Sequence, residues 1–218
     1  MALPEPRERI LARVRAALRT PAPHHHSADP RAASAPIFAP VSHPLDRFQK
    51  ECAANITECA VTRDLRGSGA AVAEILAALP PGEIFVQDAP PLRGIAPAWP
   101  SRAIRWSSEG APREESQATI TLCEALVALT GSVLVSSACG GRGATVVAPV
   151  HIVVAGFKDL VADLDSAFAR MRERGTATEN SYVCLITGSS RTADIEKILV
   201  MGAHGPRRLI VVLSERFE

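Results

Sequence analysis

The chain has 218 residues, of which 24 are basic and 23 acidic, leaving a formal net charge of +1. At this length one domain is expected rather than two, and 47% hydrophobic with 22% charged residues exclude a disordered chain. The balanced charge excludes a nucleic-acid binder that works through bulk electrostatics, because no large counterion-release term is available to it.

In chain order, residues 4–19 are predicted to be an amphipathic helix. Ile10, Leu11, Val14 and Leu18 fall at helical spacing, with arginines opposite. Such a helix suits a membrane surface or a partner, but its modest stripe without aromatic anchors points to packing on its own domain or on a second copy, a possible homo-oligomer. The run contains neither the apolar core of a secretion signal nor a membrane span. Residues 20–44 carry six prolines among many Ala and Ser and read as an extended linker. His24, His25 and His26 lie in it, and without a rigid supporting shell they read as a solvated polar run. The domain division is therefore 1–44, helix and linker, and 45–218, the main domain.

The main domain opens with a helix of about four turns, on which Leu45, Phe48, Cys52, Ile56 and Ala60 recur at three- or four-residue steps. A second helix is predicted over 69–79, stopped by Pro80-Pro81-Gly82. Ile84–Val86 reads as a buried strand, 89–100 as irregular and 103–106 as a further strand. Trp99 and Trp106 read as core or rim packing. Ala118–Thr121, Ser132–Ser136, Val150–Val154, Tyr182–Ile186 and Leu209–Leu213 are apolar strand runs. Helices are predicted over 123–129, over 158–173 (Leu160, Val161, Leu164, Phe168 and Met171 on one face) and over 191–200. Near-continuous apolar strands between helices imply an α/β fold with a mainly parallel sheet flanked by helices.

Cys52, Cys59, Cys123, Cys139 and Cys184 make an odd count without a secretion signal, which points to free thiols and a cytoplasmic location. No C-x-x-C occurs, so neither a zinc ribbon nor a self-contained iron–sulfur ligand run is written here. Cys139 has no evident base to activate it.

Three segments carry candidate chemistry. Thr187 to Ile195 follows an apolar strand and leads into the predicted helix at 191–200, placing it at a strand C-terminal end, where α/β sheets bind ligands. There Gly188 allows close backbone approach, Ser190 or Thr192 can cap the helix and turn amides toward an anion, and Arg191 can grip a carboxylate or phosphate. The bland alternative is an ordinary cap beside a surface charge. In the second segment, His204 precedes the Gly205-Pro206 turn, either as a proton donor or as a ring bonded to a backbone carbonyl. In the third, Arg142 stands among Gly140, Gly141 and Gly143, either reaching a pocket or lying in a plain surface loop.

The run Ile186-Thr187-Gly188-Ser189-Ser190-Arg191-Thr192-Ala193-Asp194-Ile195-Glu196 and the later Gly202-Ala203-His204-Gly205-Pro206-Arg207 resemble the signature of the lactate utilisation protein C family. Thr130-Gly131-Ser132 and Pro149 to Val154 are similar to its middle region, and the resemblance covers roughly residues 45–213. It implies a LUD domain, with a fold akin to the sugar-phosphate isomerase and CoA-transferase-like group, and a part in oxidising L-lactate to pyruvate. The implied role is a subunit that binds no cofactor itself and works beside partners carrying iron–sulfur clusters. Gly188, Ser190, Arg191, Thr192, His204 and Arg142 would line its pocket for a small carboxylate or phosphate, at the C-terminal edge of the sheet. Two positions depart from the family pattern: Ser189 replaces a proline, which should loosen the loop, and Leu129 replaces an acidic residue. The alternative is an independent enzyme of CoA-transferase or folate cyclo-ligase type acting on an acyl or phosphate substrate, a reading that rests on fold analogy.

Overall fold

A computed structural model describes residues 6–19, 38–175, 179–192, 200–202 and 205–217. The chain divides into two units, Met1–Ala39 and Pro40–Glu218. The first contains α1 (Pro6–Leu18); the histidine run at 24–26 and most of the predicted linker lie outside the described residues.

The second unit begins with α2 (Pro44–Ala54), which buries Phe48 and Cys52. The helix is shorter than its apolar spacing predicts. Asn55 ends it, Ile56 takes a left-handed φ of 57°, and Thr57–Asp64 is a strand, β1. Ile56 is largely exposed and Ala60 lies within β1, so the last two members of the predicted stripe are not helical. The ladder that β1 makes with the last strand of the chain outweighs the helical spacing. Helix α3 (Leu65–Ala77) starts four residues before its predicted position, because the Asp64 carboxylate accepts from the Gly67 amide at 2.7 Å and caps it. Its C-terminal carbonyls are gathered by Arg102, which donates to Leu76, Leu79 and Pro80. Then come β2 (Ile84–Val86), α4 (Pro90–Ile95) in the stretch expected to be irregular, β3 (Ile104–Trp106) and β4 (Ala118–Thr121).

The predicted helix at 123–129 is instead a strand, β5 (Ala125–Val127), which pairs antiparallel with β6 (Ser132–Ser136). Three residues buried on both sides suit a ladder better than one helical turn, and Gly131, at φ 64°, makes the connection. β7 (Val150–Gly156) follows. Of the helix predicted over 158–173, only α5 (Leu164–Glu173) forms, capped by Asp163, while β8 (Leu160–Val161) pairs with β5. The chain closes with β9 (Val183–Ile186), β10 (Arg191–Thr192), β11 (Val200–Met201) and β12 (Arg208–Arg216). Arg191–Thr192 and Val200–Met201 form an antiparallel pair, so neither end of the predicted 191–200 helix is helical, and 193–199 lie outside the described residues.

Six strands make one parallel sheet in the order β1-β12-β7-β4-β2-β3, confirming the α/β expectation. One face, with Ile84, Val86, Ile120, Ile152 and Val212, packs on Val72, Leu76 and Leu92 of α3 and α4, with Trp99 buried in the same core. The opposite face, with Val153, Leu209, Val211 and Leu213, packs on α2 and on the inner side of a small sheet ordered β8-β5-β6-β9. The outer side of that small sheet is covered by α5 through Ala167 and Met171.

His151 sits in the layer between the sheets, fully buried, with Nε2 2.9 Å from the Thr121 hydroxyl and Nδ1 without a partner. Burial disfavours its charged form and lowers its pKa from 6.5 to about 4. The unfolded chain therefore takes up a proton at this ring before the folded one does. The contribution of the neutral ring to stability is complete above about pH 6.5 and is lost as pH falls toward 4, to a limit of about 3 kcal/mol. Thermal melts between these pH values should show the fall, and His151→Gln, which keeps a hydrogen-bonding group but cannot titrate, should flatten it.

Candidate functional site

The order of the parallel sheet singles out one place. From β2 the chain moves outward through α4 to β3, then crosses back over β2 to β4 and continues toward β7 and β12. Adjacent strands β2 and β4 thus send their connections in opposite directions, and the crevice beyond their C-terminal ends is where open parallel sheets take ligands.

Gln87, one residue past β2, organises that crevice. Its side-chain oxygen accepts from the Leu122 amide at 2.8 Å and its Nε2 donates to the Ala138 carbonyl at 3.0 Å, tying the loop after β6 to the sheet edge. The loop is held from its other side by Asn180, whose side-chain oxygen accepts from Ser137 Oγ (2.8 Å) and the Ala138 amide (3.0 Å). Ser136 donates to Glu124 at 2.6 Å. Gly140, at φ 93°, lies against Phe85 and Gln87, where a Cβ would come within 3.3 Å of the Phe85 ring. Between this loop and Ser107, Gly110, Ala111 and Pro112 opens a cavity of about 360 Å³.

Arg142 is the only ionisable side chain among the described residues lining it. It donates to the Ser181 carbonyl at 2.8 Å, its guanidinium lies 6.0 Å from the centre of the Tyr182 ring, and no carboxylate pairs with it among the described residues. The nearby acid, Asp88, is already committed. Arg93 grips it through two hydrogen bonds (2.5 and 2.8 Å), Ser108 adds another, and these hold its carboxyl at about 2. Arg93 also covers Trp106 at 4.3 Å, which makes that indole a packing surface. Cys139 is buried beside Glu124 and its pKa is pushed up to about 11, chiefly by desolvation, so it stays a thiol.

The other site residues expected from sequence lie elsewhere. β9 belongs to the small sheet and runs antiparallel to β6, so Thr187 to Ser190 do not follow a strand of the parallel sheet. They sit instead where β1, β7 and β12 begin. Ser189 Oγ donates to the Ile56 carbonyl at 3.0 Å, the Ser190 amide donates to Pro206, and the Arg207 amide to Pro149. Gly188 does serve a close backbone approach, but to its own chain: at φ 86°, a Cβ there would lie 2.3 Å from the Asn55 carbonyl oxygen. Ser189 therefore pins the loop that was expected to be loosened. Leu129 is held through its own backbone, its amide donating to the Ala162 carbonyl and its carbonyl accepting from the Arg47 guanidinium. Ser190 leads into a strand, Arg191–Thr192, where the start of a helix was expected. Arg191 is exposed, only the backbone of Thr192 is described, and His204 lies outside the described residues. Arg142 lines a different cavity from Gly188, Ser190 and Arg191, although its guanidinium lies against Tyr182, which borders theirs.

Residues 112–214 match the family model for the LUD domain. This region belongs to the LUD domain family. It holds β4 to β12 apart from the last residues of β12, whereas Gln87 and Ser107 come from the chain before it, so the cavity is closed by residues on both sides of the LUD boundary. The LUD-bearing chain is 30% identical over 130 residues to lactate utilization protein C of Bacillus subtilis (51% of this chain, 54% of that protein). It is 31% identical over 119 residues to the protein of that name from Shouchella clausii (54% of this chain, 51% of that protein). It thus spans about half the length of the curated relatives it matches. The crystal structure of a DUF162 family protein from Deinococcus radiodurans shares the fold, with a TM-score of 0.60 at 18% identity over 78% of this chain and 96% of that one.

Sequence reasoning missed Gln87, Ser107, Asn180 and Tyr182. A polar residue directly after a short buried strand was the available signal for Gln87. Gly188→Ala should destabilise the protein by roughly 2–4 kcal/mol, combining the clash with Asn55 and the left-handed backbone; a denaturant titration measures it. Gln87→Ala should cost less, about 1–2 kcal/mol, and should speed proteolysis in the 137–143 loop.

Proposed function

We propose that this chain serves lactate utilisation in the cytoplasm as a subunit that holds a small carboxylate at the Arg142 cavity, while iron–sulfur partner proteins supply the electron path. The observation that carries the reading is the position of Arg142. A guanidinium with no carboxylate partner among the described residues lines a cavity at the switch point of a parallel sheet. Relatives named for lactate utilisation support the choice of carboxylate, and the five free thiols suit a reducing compartment. Among the described residues no helix is long and apolar enough to cross a membrane.

In this reading Arg142 binds the carboxylate through paired N–H donors, and Gln87 and Asn180 act as positioning residues that keep the loop in place. Asp88, held ionised by Arg93, is compensated and so does not repel the anion.

Thermal melts with L-lactate, pyruvate, CoA esters and ATP test the ligand class. A ligand present at 100 times its Kd adds about 2.7 kcal/mol of stability. The expected outcome is a rise in Tm with lactate or pyruvate that Arg142→Gln abolishes. A rise with CoA esters or ATP alone would support an independent transferase-like or cyclo-ligase-like enzyme instead. Co-expression with iron–sulfur proteins encoded beside this chain, followed by anaerobic purification, tests the assembly; lactate oxidation by those proteins that is unchanged without this chain would refute it.

A further inference from the structure

Where β7 and β12 begin, two adjoining cavities of about 400 and 360 Å³ share Val146 and Gly205 as common walls. Arg191 borders one and Arg207 the other, and among the described lining residues of both there is no Asp or Glu. Neither arginine pairs with a carboxylate among the described residues, although both are exposed. A cation left without a counter-charge in a concave surface is an electrostatic invitation to an anion, strengthened where neighbouring walls exclude water.

The walls are not soft. Gly188 is seated on Asn55 and Ser189 is bonded to Ile56. The Ser190 amide donates to Pro206 and the Gly202 amide to Ser190, both within 2.9 Å. The stem of Arg207 lies over Gly202, where the left-handed backbone (φ 77°) and the absence of a side chain make room for it; a Cβ would stand 2.2 Å from Arg207 Cγ. Apolar side chains line part of this surface, Val146 in both cavities and Leu185 in the one that Arg191 borders. Val146 is 49% exposed and Leu185 36% exposed, large aliphatic side chains turned to solvent inside a groove. Tyr182 lines the same wall, its hydroxyl 3.3 Å from Thr145 Oγ1.

We infer that this groove is a second binding site, for an organic phosphate or carboxylate that carries an apolar arm. The anion is held by Arg191 and Arg207, and the arm lies on Val146 and Leu185. A bare inorganic anion meets only half of this surface, and a neutral apolar molecule only the other half. Cavities of this size suit a small molecule.

Calorimetric titration of the full chain at low salt with phenyl phosphate, and separately with inorganic phosphate, is the test. Phenyl phosphate should bind saturably at one site, and inorganic phosphate about tenfold more weakly, since it lacks the buried arm. The double variant Arg191→Gln/Arg207→Gln should weaken phenyl phosphate binding by about tenfold or more, with its thermal melt confirming that it is folded. Arg66→Gln, exposed on α3, should leave this binding unchanged. Absence of saturable binding, equal affinity for the two phosphates, or undiminished binding in the double variant would each overturn the inference.

Discussion

The parallel ladder that β12 makes with β1 on one side and β7 on the other is the constraint on which the molecule depends. Leu209 stands opposite both Thr57 and His151, and the register continues through Ser214, opposite Thr62 and Gly156. Because side chains alternate along a strand, Ile210 and Val212 complete the core under α3 and α4 while Leu209, Val211 and Leu213 complete the one shared with the small sheet. The last strand of the chain therefore supplies both cores at once. Removing it would leave β1 without a partner and β7 with an open edge, a costly combination of lost ladder hydrogen bonds and exposed apolar surface.

That ladder also sets where the two sites stand. The strand starts are tied together by backbone bonds among Pro149, Arg207, Pro206 and Ser190, which leaves Arg191 and Arg207 facing out from that end. At the other end of the strands, the reversal of connections around β2 and β4 leaves a crevice that Gln87 and the glycine-rich loop shape into the Arg142 cavity. The two basic sites are a product of topology, since the chain as a whole is almost neutral.

Much of the fold was legible from the residues. Ile84–Val86, Ala118–Thr121, Ser132–Ser136 and Val150–Val154 are buried on both faces and rich in apolar or β-branched residues, and they read as strands. β1 and β5 did not. In β1, an edge strand with only Thr57 buried, Ala60 continues the helical spacing of α2, and only the distant β12 decides between helix and strand. In β5, three apolar residues are too few for either period to show, and pairing with β6 and β8 settles the matter. The site was legible in part. The glycines around Arg142 marked a loop with special backbone, but Gln87 and Ser107 reach it only because β2, β3 and β4 are neighbours in space. In the Thr187–Arg191 loop, Gly188 was expected to admit a ligand and instead admits the Asn55 backbone, and the loop's expected place at the strand C-terminal ends followed from assuming that β9 belongs to the parallel sheet.

The wall structure of the Arg142 cavity has a consequence for how such proteins diversify. The cation and its loop belong to the LUD segment, while Ser107 and the Gly110–Ala111 turn that face them precede it. The two walls can thus change independently: substitutions in the short connection between β3 and β4 alter the shape offered to the non-ionic part of a ligand without disturbing the guanidinium or the strands behind it. On the proposed function, a chain that keeps the guanidinium's wall constant while varying the β3–β4 connection can trade one organic acid for another at little cost in stability, because surface connections tolerate change far better than the layers they join.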